Sequence, residues 1–309
     1  MKDLGKIIFY LIATVILGAL LTPPLYWGAH WLASYGIQEW LAELPLRKFF
    51  NRGVLVAAIV LLWPTIRWLR LPRITDLGLQ PNPHRWRDLT VGFLGSFLVM
   101  ALFAVVLIQL GVFSMRKQIL WWGLAQVCVS AVTVSLLEEA FFRGALMGLL
   151  MRSMSPLLAL TFTSALYSIV HFLKPRDSAP TVYENVHWGS GFELIPGTFA
   201  QYADWKLVLG GFITLFFVGM ILGITRLFTR SLWMAIGLHA GWILGKFGLS
   251  KIARRKIPES ATMPWLGEDI TIGIVSSGLV LLTGLLIALW FYHLYRKKTD
   301  ASSASSPMG

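Results

Sequence analysis

Cysteine is almost absent from this chain of 309 residues, because Cys128 is the only one. A single cysteine cannot form a disulfide within the chain, and the sequence has no C-x-x-C motif for zinc or redox chemistry. Charged residues are also scarce, at 14%, whereas 56% of all residues are hydrophobic. This composition excludes a soluble domain and predicts a polytopic membrane protein.

Acidic residues are the scarcer charge, with 15 against 27 lysines and arginines, so the formal net charge is +12. The basic residues lie mostly in short segments between apolar runs, where they set topology and contact anionic lipid. We therefore expect membrane lipid as a partner and no nucleic acid. The N-terminal apolar run lacks a small-residue cleavage site and is interpreted as a retained span. We expect an integral protein of the bacterial cytoplasmic (inner) membrane.

Long apolar runs predict an all-α bundle of about eight transmembrane helices. They cover about 7–27, 53–68, 89–112, 119–152, 156–173, 207–228, 231–250 and 270–295. We divide the chain into an N-terminal part with three spans, a core with a polar cavity among spans four to seven, a loop with the last span, and a disordered tail. These parts are 1–118, 119–250, 251–298 and 299–309.

Three charged residues interrupt the fourth span, namely Glu138, Glu139 and Arg143. Charges at membrane depth are costly and usually face a bundle interior or a water-filled cavity. Glu139 and Arg143 are four residues apart, so they share a helix face and can pair. Glu138 points about 100° away. The spacing predicts that Glu138 is left for another role, although a network that only fixes helix packing is the alternative.

Histidines follow in the next apolar runs. His171 lies four residues after Tyr167, on the same helix face, and His239 is flanked by the small residues Gly237 and Gly241. Each could be an ordinary interfacial or helix-bridging histidine. Together with Glu138, they would form a carboxylate and two imidazoles that can activate water and stabilise an oxyanion. His187 falls in the long polar segment 174–206 and is interpreted as a loop residue.

These residues form three motifs that resemble the CAAX protease and bacteriocin-processing family, intramembrane relatives of the type II CAAX prenyl endopeptidase. The first is Glu138-Glu139 with Arg143. The second is an aromatic residue and a histidine four positions later, here Tyr167 and His171, with tyrosine where phenylalanine is commoner. The third runs from 231 to 243 and contains His239. All three occur in the family's order, each on a predicted span, over about 119–248.

The resemblance implies a role for each residue. Glu138 and His171 would activate a water for peptide hydrolysis, His239 would help to bind the oxyanion, and Glu139 and Arg143 would support them. One position departs from the family pattern, since Ile243 stands where an asparagine is usual. Either His239 works alone, another donor substitutes, or activity is low. Many family members are also called metalloproteases, so Glu138, His171 and His239 could instead hold a single zinc.

The sequence therefore predicts an intramembrane endopeptidase that acts on a membrane-anchored peptide or protein, for which a prenylated CAAX-type chain is one candidate. A membrane partner or bacteriocin-immunity-type factor without catalysis is the first alternative. A transporter that uses a glutamate as its proton site is the second, although the sequence has no internal repeat to support it.

Overall fold

The fold comes from a computed structural model that describes residues 2–70, 77–80, 82–172, 185–199, 202, 205–267, 270 and 272–304. Within these ranges the chain is a helix bundle with one small sheet, which confirms the predicted all-α polytopic fold. The α-helices are α1 Lys2–Ser34, α2 Leu46–Trp68, α3 Arg85–Gln109, α4 Trp121–Glu139, α5 Met147–Leu150, α6 Pro156–His171, α7 Ser190–Phe199, α8 Trp205–Thr229, α9 Trp233–Ile252 and α10 Ile274–Ala304.

Shorter elements connect or follow these helices. A π-helix, Ala140–Leu146, joins α4 to α5 without a break, and 3₁₀ turns lie at Glu39–Leu41 and Glu259–Ala261. Strand β1, Phe113–Met115, pairs antiparallel with β2, Ala253–Arg255. Because β1 follows α3 and β2 follows α9, this pairing ties together the ends of those two helices.

Six helical segments of the described chain are long and apolar enough to cross a membrane, so the predicted count of eight is not confirmed. They are Gly5–Ser34, Leu46–Trp68, Arg85–Gln109, Trp121–Leu150, Val208–Thr229 and Ile274–Leu294. The two predicted spans that are not among these six correspond to α6 and α9. Helix α6 has 16 residues and is about 24 Å long, whereas the hydrocarbon core is about 30 Å thick. Helix α9 is long enough but carries His239 and Lys246.

Helix α9 tolerates polar residues because it lies inside the bundle, where every residue from 234 to 242 is buried. It packs closely on α3 through two glycines. A Cβ at Gly237 would collide with the carbonyl of Leu89, and one at Gly241 would collide with the side chain of Ser96. His239 is two residues from each glycine and about 200° round the helix. The glycine face therefore lies against α3 and turns His239 towards α4.

Helix α1 contains Pro23 and Pro24 and continues to Ser34, beyond the end of the predicted first span at about residue 27. Pro23 has no N–H, so it cannot bond the carbonyl of Ala19, four residues earlier. Gly191, at the start of α7, packs directly on that carbonyl, and a Cβ there would collide with it. Helix α7 thus closes over the interrupted turn of α1, with Trp27 and Trp188 in edge-to-face contact at 5.1 Å between ring centres.

Two predicted irregular segments are partly helical. Helix α7 and the first residues of α8 lie within the predicted polar loop 174–206, of which residues 174–184, 200–201 and 203–204 fall outside the described ranges. Helix α10 runs to Ala304, through the first part of the predicted tail 299–309, and residues 305–309 are not described. At the start of α6, Pro156 occupies the first turn and the Ser155 side chain accepts a hydrogen bond from the Leu158 N–H.

Candidate active site

The Glu139–Arg143 ion pair predicted from the spacing is present at the junction of α4 and the π-helix. Arg143 Nη1 lies 3.0 Å from Glu139 Oε1, and the two side chains are 1% and 0% exposed. Arg143 Nη2 donates to the carbonyl of Gly219 on α8 at 3.4 Å. The pair therefore joins the core helices. The π-helix itself was not predicted; such turns within α-helices are frequent at functional sites.

Glu139 has a second partner that sequence reasoning missed. His239 Nδ1 lies 2.8 Å from the same Oε1 atom that pairs with Arg143. The carboxylate accepts, so Nδ1 carries the proton. When His239 is neutral, its Nε2 therefore holds a lone pair, and Nε2 can donate only when the ring is doubly protonated. The four-residue spacing predicted the pair of Glu139 with Arg143, but nothing in the sequence predicts that Glu139 also contacts His239 on α9.

Glu138, His171 and His239 converge on one point, as predicted. Glu138 Oε2 lies 3.6 Å from His171 Nε2 and 3.8 Å from His239 Nε2. Both distances exceed a direct hydrogen bond, and contacts of this length suit a bridging water. Within the described residues, Oε2 of Glu138 has no hydrogen-bond partner. The Glu138 and His171 side chains are 28% and 20% exposed, whereas Glu139 and Arg143 are almost fully buried, but Oε2 itself is a buried atom, so the point of convergence lies beneath the surface.

The backbone fixes the proton of His171. Its Nδ1 lies 2.8 Å from the carbonyl oxygen of Tyr167, one turn earlier on α6. A carbonyl can only accept, so Nδ1 is the protonated nitrogen and the neutral ring presents its lone pair at Nε2. That lone pair faces Glu138. His171 is thus oriented as an acceptor for a proton at the point of convergence.

Tyr167 lies at the centre of the group, with 1% of its surface exposed. Its hydroxyl oxygen is 3.5 Å from His239 Nε2, and its ring centre is 4.2 Å from that of His171. The guanidinium carbon of Arg143 lies 4.4 Å from the centre of the same ring. Tyr167 therefore touches three of the other residues named in the motifs.

Two weaker candidates behave differently. His187 lies just before α7, where its Nε2 pairs with Glu193 at 3.1 Å on the exposed surface. Among the described residues, no hydrogen bond or ion pair joins His187 to Glu138. Ile243 is half-buried on α9, one turn beyond His239. Its side chain carries no donor, so it adds nothing polar to the group.

The convergent carboxylate and imidazoles do not have the geometry of a metal site. Among the residues that the structure describes, no group of three or more His, Cys, Asp or Glu side chains has a metal-binding arrangement. Glu138, His171 and His239 converge, but they do not form such a group.

Fold and site together define an integral membrane protein whose helix bundle holds a carboxylate, two imidazoles and a phenol around one point. Residues 119–244 match the family model described as type II CAAX prenyl endopeptidase Rce1-like. This match confirms the resemblance predicted from the three motifs, all of which lie in that segment, and it indicates a protease. No curated protein and no solved structure matches the chain.

Proposed function

We propose that the protein is an intramembrane endopeptidase in which Glu138 and His171 activate water for attack on a peptide bond. The observation that carries this proposal is the convergence of Glu138 Oε2 with the Nε2 atoms of His171 and His239. The substrate would be a membrane-anchored peptide or protein, and the description of the matched family makes a prenylated CAAX-type chain the first class to test. The location would be a bacterial cytoplasmic membrane.

In the first step a water donates one hydrogen bond to Glu138 Oε2 and one to His171 Nε2. Both atoms are acceptors, so the water's lone pair is directed away from them. As the water oxygen bonds to the substrate carbonyl carbon, its proton passes to Glu138 and the carbonyl π-electron pair moves to oxygen. This general-base step produces a tetrahedral oxyanion.

In the second step the carbon–nitrogen bond breaks as the oxyanion re-forms a carbonyl. The leaving amine takes the proton from Glu138, which returns that carboxylate to its starting state. The products are one new carboxyl terminus and one new amino terminus, so water is the only co-reactant. Glu139 and Arg143 support these steps from behind, because they hold the His239 ring in place through its Nδ1 atom.

The test is cleavage of a membrane-peptide library by the purified protein in lipid, with matched prenylated and unprenylated CAAX peptides included. We expect new peptide ends with the wild type and none with Glu138→Ala. Cleavage of prenylated peptides alone would support the CAAX class, and cleavage of unprenylated spans would support a broader substrate range. Equal product formation by both proteins would refute the assignment of Glu138.

A binding protein without catalysis is the second candidate, and one observation favours it: Ile243 provides no hydrogen-bond donor where the family pattern has asparagine. Such a protein would retain peptide binding and give no new peptide ends. Binding measurements on the same library therefore separate the two functions. Glu138→Ala should change affinity only slightly if the protein just binds.

Metal dependence gives a separate prediction. If Glu138 and His171 act alone, exhaustive chelation should leave the cleavage rate within about twofold of the untreated protein. If zinc is held by Glu138, His171 and His239, chelation should abolish cleavage, and metal analysis should find about one ion per chain. We expect the metal-free result, because the motifs lack the His-Glu-x-x-His arrangement of zinc-binding helices. Restoration of a chelated, inactive protein by added zinc would contradict this expectation.

A further inference from the structure

We propose that the hydroxyl of Tyr167 is an oxyanion donor of this site and compensates for the missing asparagine at position 243. The inference rests on the proposed endopeptidase function and adds a catalytic residue to it. The donor would form a hydrogen bond to the carbonyl oxygen of the substrate that strengthens as negative charge develops there. No proton is transferred to or from Tyr167 in this step.

Tyr167 carries a hydrogen-bond donor that the other convergent residues of the described site lack in their resting state. An oxyanion needs N–H or O–H groups aimed at it. Ionised Glu138 only accepts, and neutral His171 presents a lone pair at Nε2, because its proton is on Nδ1. When the His239 ring is neutral, its Nε2 also carries a lone pair and cannot donate, because the proton is on Nδ1, which binds Glu139. Tyr167 is the residue of this group whose donor does not depend on an added proton.

The position of the hydroxyl fits this role. Its oxygen is 3.5 Å from His239 Nε2, the atom that itself lies 3.8 Å from Glu138 Oε2. Glu138 also interacts electrostatically with the Tyr167 hydroxyl. The hydroxyl therefore borders the point where water and substrate would meet. The 3.5 Å contact with His239 is at the weak limit of a hydrogen bond, so the O–H would turn from its resting acceptors, His239 and Glu138, to the substrate oxygen as charge develops there.

The surroundings of Tyr167 hold its ring in one orientation. Phe142 packs edge to face against it, with ring centres 5.1 Å apart, and Arg143 covers one face at 4.4 Å. The side chain is 1% exposed, so neighbouring helices restrict its rotamers. A donor fixed before the reaction needs no reorganisation as charge develops, which is the condition for effective oxyanion stabilisation.

Two departures from the family pattern are explained together by this role. The second motif has tyrosine where phenylalanine is commoner, and the third has Ile243 where asparagine is usual. The first departure adds a hydroxyl and the second removes an amide. Because the added hydroxyl lies beside His239, the same histidine that the usual asparagine would accompany, the two changes can offset each other.

The first test is Tyr167→Phe, which removes one oxygen and restores the commoner residue. We expect kcat to fall by about 10²–10³-fold, the usual effect of losing one oxyanion donor, with KM within about threefold of wild type. The matched control is Tyr202→Phe, since the Tyr202 hydroxyl also bonds α6, donating to the carbonyl of Ile169 at 3.1 Å. This control should keep wild-type kcat, and thermal melting should be similar for all three proteins.

The second test is rescue by a new donor. Adding Ile243→Asn to the Tyr167→Phe protein should raise its kcat by at least about tenfold. The same substitution in the wild type should raise kcat less, because one donor is already present. Recovery of this kind would distinguish an oxyanion donor from a residue that only positions His239. A residue that only positions His239 would not be replaced by an amide on α9.

The outcomes separate this inference from the proposed function. If Tyr167→Phe keeps the wild-type kcat in an assay in which Glu138→Ala is inactive, the role of Tyr167 is overturned and the endopeptidase function stands. A loss in Tyr167→Phe that Ile243→Asn does not relieve would also overturn it. Absence of cleavage by the wild type would refute the proposed function itself.

Discussion

Replacement of Glu138 with glutamine should lower the rate of peptide hydrolysis by about 10²–10⁴-fold, the usual contribution of a general base. Glutamine has nearly the same shape as glutamate, but its amide cannot take the proton from water. Because Glu138 is partly exposed and has no ion pair with an arginine or lysine among the described residues, the substitution should leave folding unchanged. The measurement is the initial rate of cleavage, compared at equal amounts of folded protein.

The chain provides a matched control for this substitution. Glu193 forms a carboxylate–imidazole pair with His187 at 3.1 Å, a distance shorter than those around Glu138, but on the exposed surface of α7. Glu193→Gln should keep the wild-type rate, since that pair lies outside the site. If both substitutions reduce hydrolysis equally, or if Glu138→Gln keeps wild-type turnover, Glu138 is not the base.

Removal of Arg143 should have the largest effect on stability. Breaking a buried ion pair by deleting one partner typically costs about 3–5 kcal/mol, because the remaining charge is left in a low-dielectric interior. Arg143→Ala would leave Glu139 with His239 as its remaining partner among the described residues, and it would also remove the contacts to Gly219 and to the Tyr167 ring. We therefore expect a clearly lower free energy of unfolding, melting temperature and detergent yield.

Two other substitutions serve as controls for the loss of stability in Arg143→Ala. Arg67 is an exposed arginine of α2 whose guanidinium lies over the Trp63 ring at 4.8 Å, so Arg67→Ala should cost less than about 1 kcal/mol. Glu138→Ala should also destabilise less than Arg143→Ala, because Glu138 is the more exposed carboxylate. A protein that melts normally without Arg143 but unfolds without Glu138 would show that the two glutamates have exchanged roles.

The sequence by itself determined the class of protein and the residues to consider. Long apolar runs predicted helices because a membrane requires every backbone polar group to bond within its own segment. The four-residue spacing of Glu139 and Arg143 predicted their ion pair, since side chains one turn apart are neighbours on any α-helix. The three motifs predicted the family match. Each of these inferences depends on local geometry, which a sequence specifies directly.

Span number and the partners of the site depended on the tertiary structure. Helix α6 is apolar but ends at His171 in the folded chain, and helix α9 keeps His239 and Lys246 because it is largely buried inside the bundle. The bond between His239 and Glu139 joins residues 100 positions apart, and the Tyr167 hydroxyl meets His239 across 72. Such contacts depend on how Gly237 and Gly241 seat α9 against α3 and on how α6 and α9 flank the end of α4. These are properties of several helices at once, so no spacing within one segment encodes them.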